Sequence, residues 1–157
     1  MSLAGHTIPH HHVRLSAGVK EDLKMWCIFL ESFNGIPIRA WPLCEWDVQI
    51  YSDASGASGF GIYWQGKFCV EEWPPAWRAG GRSIAFLELF PLVVAVCVWG
   101  QWLMHKRVLF RVDNMAVVQV INRQSAREAQ VLQLLRVFVL ECLLAIPISG
   151  RDMCRGE

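Results

Sequence analysis

The feature that most constrains this chain is the stretch from Ile84 to Met104, IAFLELFPLVVAVCVWGQWLM, apolar on nearly every side of any helix drawn through it. Such a helix must be covered all round, by lipid or by protein. Its uninterrupted part, Leu89 to Trp99, is about eleven residues, against the ~20 that cross a bilayer. Lengthening it admits Gly100 and Gln101 on one side and Glu88 on the other, and Pro91 lies within it. The expectation is a buried central helix with no membrane, so the rest of the chain must supply the layers around it.

The rest is compatible with that demand. With 157 residues, 54% of them hydrophobic, and a formal net charge of +1, the chain is sized for one domain and too apolar to stay disordered. Near-neutral charge removes any compositional argument for nucleic-acid binding, so local clusters would have to carry one. The six cysteines show no C-x-x-C spacing and no secretory signal precedes them, which predicts reduced, buried thiols in an intracellular, cytoplasmic or nuclear protein that is not secreted. His6 and His10 to His12 sit in a tail without sustained periodicity, read as solvated rather than metal-binding.

Periodicity assigns the remaining elements. Between Ser16 and Phe33, Val19, Leu23, Trp26, Leu30 and Phe33 recur at steps of four and three, one stripe of an amphipathic helix that stops at Asn34-Gly35. Ile36 to Trp46 reads as an extended connector, so residues 1–46 form a tail and connection segment and 47–157 the domain proper. Asp47–Asp53, Ser58–Gln65 and Phe68–Trp73 read as three antiparallel strands, with Gln65-Gly66-Lys67 as a tight hairpin turn. Arg107–Val112 is a fourth strand, Asn114–Asn122 and Ala126–Ala145 are helices, and Ile146-Pro147-Ile148 starts a further strand. The order is β-β-β-α-β-α-α, an α/β mixed sheet with helices packed on it.

Three acids stand out against this frame. Asp53 ends the first strand, Glu88 interrupts the apolar helix and Asp113 ends the fourth strand. Singly, each reads as a cap or as a helix-terminus charge. If the first and fourth strands are parallel neighbours, however, both aspartates fall at one sheet edge, and the crossing helix can bring Glu88 beside them. Carboxylates gathered this way repel and call for cations, and an all-oxygen set suits Mg²⁺ or Mn²⁺. Two such ions would activate a water and stabilise the leaving oxygen of an in-line phosphodiester displacement.

The strings YSDASGASGFGIYW (Tyr51 to Trp64), SIAFLELFPLVVAV (Ser83 to Val96) and LFRVDNMAVVQVINR (Leu109 to Arg123) resemble the three acidic motifs of the ribonuclease H domain attached to reverse transcriptases, and more narrowly those of DIRS-type, tyrosine-recombinase retrotransposons. The upstream HHHVRLSAGVKEDLKMWCIFLESFNG resembles the segment joining polymerase to ribonuclease H in such polyproteins. The resemblance implies a ribonuclease H-like fold preceded by an amphipathic connection helix. It implies hydrolysis of the RNA strand of an RNA–DNA hybrid and a polymerase domain as partner. By the same resemblance, Asp53, Glu88 and Asp113 would hold two Mg²⁺ or Mn²⁺ ions. Gly59 and Gly61 would keep the second strand open beside the substrate, and Asn114 would complete the "DN" pair. Ser55, Arg111, Arg123, Gln124 and Arg127 are the further candidate substrate contacts, with a solvated face as their alternative.

The C-terminal part departs from that family, which continues with a final strand, an H-x-P-G loop and a helix bearing a fourth acid. Asp152 is the candidate stand-in for that ligand, and it arrives earlier than the pattern places it. The rival expectation is therefore a truncated, catalytically impaired remnant that at most binds nucleic acid.

Overall fold

The computed structural model describes residues 14–32, 46–104, 106–145 and 154–155. The histidine tail, most of the connector, Phe33, the Ile146-Pro147-Ile148 start and Asp152 lie outside the described residues. A first helix, α1 (Ala17–Ser32), precedes three antiparallel strands, β1 (Val48–Ala54), β2 (Gly59–Trp64) and β3 (Lys67–Glu72). After a π-helical turn at Trp77–Gly81 come α2 (Ile84–Leu103), β4 (Val108–Val112), α3 (Met115–Arg123) and α4 (Ala129–Ala145). The two-residue strand β5 (Cys154–Arg155) pairs parallel with β4, and the sheet order is β3-β2-β1-β4-β5.

The chain is thus α/β with a mixed sheet, in the predicted element order up to α4. β1 alternates strictly, with Val48, Ile50, Ser52 and Ala54 buried and Gln49, Tyr51 and Asp53 exposed, as a strand with one covered face should. α2 lies on the buried face. Leu89, Leu92, Ala95 and Leu103 are fully buried, and α4, whose buried residues are Val131, Leu135, Phe138 and Cys142, packs on α2. By length and composition α2 could cross a membrane; here sheet and α4 cover most of it, but not all round. Ser83 caps it, its Oγ accepting from the Phe86 N–H at 3.3 Å. Pro91 removes the hydrogen bond to the Leu87 carbonyl, and the helix runs through it.

Three expectations change. α2 is not covered all round, for Val98 and Trp102 are half exposed. The Ser16–Phe33 stripe of α1 is left open and not turned to the body, with Leu23, Trp26 and Leu30 half exposed or more. The helix is held to α4 instead by Arg136, whose Nε donates to Asp22 Oδ1 at 2.7 Å and whose Nη2 donates to the Gly18 carbonyl at 3.2 Å. Nor are all the thiols buried. Cys142 is, but Cys27 and Cys97 are exposed and Cys69 is half-buried.

Candidate metal centre

The site begins with a clasp at the opposite end of the sheet. Asp47 Oδ2 accepts from the Arg107 backbone N–H at 2.8 Å and from its Nε at 3.0 Å, while Oδ1 accepts from Nη2 at 2.7 Å. These bonds hold the Asp47 carboxyl at a pKa of about 2. The clasp ties the entries of β1 and β4 together, and their parallel register runs from Val48 beside Val108 to Ser52 beside Val112. One step further along both strands are Asp53 and Asp113. Beyond Val112, where β4 ends, a side chain from α2 reaches both aspartates.

Glu88 is that side chain. A carboxylate oxygen from each of Asp53, Glu88 and Asp113 lies within 4.8 Å of the others. The two aspartates are exposed and Glu88 is 5% exposed. Glu88 Oε2 is buried with no hydrogen-bond partner, which is costly for a polar atom unless something outside the protein completes it. Burial, and then the charges of Asp113 and Asp53, push its carboxyl up to about 7 from the ordinary 4.5. A buried, unpaired acceptor between two exposed carboxylates is a donor set that fits a hard divalent cation.

The other predicted contacts divide. Arg111, on β4, shares a groove of about 520 Å³ with Asp53 and Asp113 on the sheet face opposite α2. Its Nε donates to Gln49 Oε1 at 3.3 Å. Asn114 caps α3, its Oδ1 accepting from the Ala116 N–H at 2.9 Å and the Val117 N–H at 3.4 Å. Its side chain thereby fixes the turn that follows Asp113. Ser55 Oγ accepts from the N–H groups of Ala57 and Ser58, shaping the β1–β2 loop beside Asp53.

Arg123, Gln124 and Arg127 sit on the exposed turn between α3 and α4, where Gln124 takes the left-handed cap conformation at φ 50°, and no described contact joins them to the carboxylates. Gly61 lines the groove, as expected. Gly59 has a different reason to be glycine: a Cβ there would stand 2.0 Å from the Glu71 carbonyl oxygen of β3.

Sequence reasoning overlooked two features. The groove floor carries Tyr51, Tyr63, Phe68 and Val70. Strand alternation from Asp53 would have found Tyr51 and, across the register, Tyr63. Arg82 stacks over Trp77 and Phe86 and donates to Gln130, bracing the entry of α2 against that of α4. No local pattern announces that pairing. Against known proteins, no family model matches the chain and no curated protein matches it.

Proposed function

We propose that this chain is the ribonuclease H-like domain of a retroelement reverse transcriptase, closest in look to DIRS-type elements, and that it hydrolyses the RNA strand of an RNA–DNA hybrid. The observation that carries the reading is the convergence of Asp53, Glu88 and Asp113 within 4.8 Å, from three separate elements, around a buried Glu88 oxygen with no partner. A strand order that sets β4 parallel beside β1 supports it, because that arrangement is what joins the first and third motifs.

Asp53, Glu88 and Asp113 would hold two Mg²⁺ or Mn²⁺ ions. Bound there, the ions supply an activated water and charge neutralisation at the leaving oxygen. The protein's own part is to fix the three carboxylates before the cations arrive. The Asp47–Arg107 clasp sets the register that aligns the aspartates, the Asn114 cap holds the turn after Asp113, and α2 presents Glu88 from below. Arg111, which lines the same groove, would meet a phosphate beside them. The exposed α1 stripe of Leu23, Trp26 and Leu30 offers a surface for the polymerase domain of a parent polyprotein.

The test is cleavage of a labelled RNA–DNA hybrid by the full chain in Mg²⁺ or Mn²⁺, beside single-stranded RNA and duplex DNA. The expected result is hybrid-selective cleavage that a chelator stops and Asp53→Asn abolishes. Cleavage unchanged by Asp53→Asn refutes the assignment. A folded chain that shows neither cleavage nor Mg²⁺ binding by calorimetric titration would instead be the inactive remnant.

A further inference from the structure

The third strand ends the sheet on one side and is its most exposed member: every residue of β3 except Cys69 is exposed. Phe68 and Val70, 75% and 68% exposed, are the most exposed large apolar side chains among the described residues. An apolar edge strand with free backbone groups is a template for another strand. Which strand it accepts follows from the parity of its hydrogen bonds.

Gln65 and Gly66 both have positive φ, 48° and 81°, so the β2–β3 hairpin closes on a two-residue turn whose flanking pair, Trp64 and Lys67, is hydrogen-bonded. The same parity holds at the far end, where the Trp73 N–H donates to the Ser58 carbonyl at 3.0 Å. Lys67, Cys69 and Glu71 therefore turn their backbone groups towards β2, while Phe68, Val70 and Glu72 turn theirs to the open edge. A second β3 can add antiparallel about a two-fold axis only where outward groups meet outward groups. The axis must then pass through a residue and not between two.

With the axis through Cys69, Phe68 stands opposite Val70 of the second copy and Lys67 opposite Glu71 of the second copy, each pairing occurring twice. With the axis through Val70, Phe68 meets Glu72 and Cys69 meets Glu71, and no pair of opposite charges forms. We infer that β3 is a self-association edge, pairing antiparallel with β3 of a second copy of this chain about a two-fold axis through Cys69.

Charges on an edge strand normally discourage pairing. Here Lys67 and Glu71 discourage the other registers and satisfy each other in this one. Lys67 is held on the helix-covered face, over the rings of Trp64 and Trp102 at 4.6 and 4.7 Å, which is the face Glu71 shares. A strand edge alone buries less than the ~1,200 Å² of a standard stable interface, so the dimer forms by mass action at high concentration.

Sedimentation velocity of the full chain over a concentration series tests this. A reversible monomer–dimer equilibrium is expected. Val70→Pro deletes an outward N–H without touching the β2 ladder, and it should leave a monomer with unchanged circular dichroism. Glu71→Lys should weaken association about tenfold, and the Lys67→Glu/Glu71→Lys exchange should restore it. The two Cys69 residues meet as a non-hydrogen-bonded pair, about 4.5 Å apart at Cα, within disulfide reach. Copper–phenanthroline, taking two electrons and two protons from the paired thiols, should lock a dimer that persists in Cys27→Ser and Cys97→Ser and is lost in Cys69→Ser. A chain that stays monomeric throughout, a dimer that survives Val70→Pro, or a cross-link that survives Cys69→Ser overturns the inference.

Discussion

Replacing Glu88 by glutamine should make the metal-free protein more stable at neutral pH and leave it unchanged in acid. The Glu88 carboxyl titrates near 7 in the folded chain, against 4.5 in a solvated one, first through burial and then through Asp113 and Asp53. A raised acid pKa means that the folded state holds its proton more tightly than the unfolded state. Stability contributed by this group is therefore full below pH 4.5 and is lost as pH rises through 7. The shift corresponds to at most about 3 kcal/mol. Glutamine keeps the size and cannot ionise, so the mutant's advantage should be near zero at pH 4. It should then grow by about 1.4 kcal/mol per pH unit and level off above pH 7.

Urea denaturation in chelator from pH 4 to 8 reads this directly as a difference in unfolding free energy, and thermal unfolding should show a melting temperature difference of roughly 6 to 12 °C at the plateau. Added Mg²⁺ should reverse the order, because wild type gains stability by binding the ion and Glu88→Gln loses a ligand. An advantage independent of pH, or a mutant less stable than wild type at pH 8 in chelator, would refute the reasoning.

Three further outcomes follow from contacts described above. Gly59→Ala drives a Cβ into the Glu71 carbonyl and should cost more than about 2 kcal/mol by urea denaturation, whereas Gly61→Ala, with only Val70 Cγ2 at 4.0 Å, should change stability by less than about 1 kcal/mol. Asn114→Ala should destabilise by about 1 kcal/mol and slow hybrid cleavage, and Asn114→Ser, which still caps α3, should recover both; loss of cleavage in the serine variant with stability kept would make Asn114 a substrate contact. Arg107→Ala should cost less than about 1 kcal/mol, since Asp47 is 41% exposed. Because the Asp47 carboxyl is held near 2, below its ordinary 3.8, that cost should be present above pH 4 and vanish as pH falls towards 2 in acid titrations.

Much of this molecule can be read from local pattern, because pattern reports what a residue's near neighbours demand. A run apolar on nearly every side was expected to be central, and α2 carries much of the core, although Val98 and Trp102 stay half exposed. Alternation found β1, and Gln65-Gly66-Lys67 marked the hairpin, where Gln65 and Gly66 take positive φ. The three acids were conspicuous as charges on apolar elements, and proposing parallel neighbours for the first and fourth strands was enough to bring the two aspartates together.

Other features depend on partners distant in sequence. The stripe of α1 was legible as a stripe, but which face the helix turns to α4 is decided by Arg136, more than a hundred residues away. Gly59 looks like a groove-opening residue until the β3 backbone is found against it. Arg111 and Arg123 have equal standing in sequence, and only the strand register and the α3–α4 turn put one beside the carboxylates and the other on an exposed turn. Identity and spacing along the chain determined the elements and which residues carry charge where burial is demanded. The depth of Glu88, its unpartnered oxygen and its raised pKa exist only once three separate elements close around it, because desolvation and Coulomb repulsion act through space.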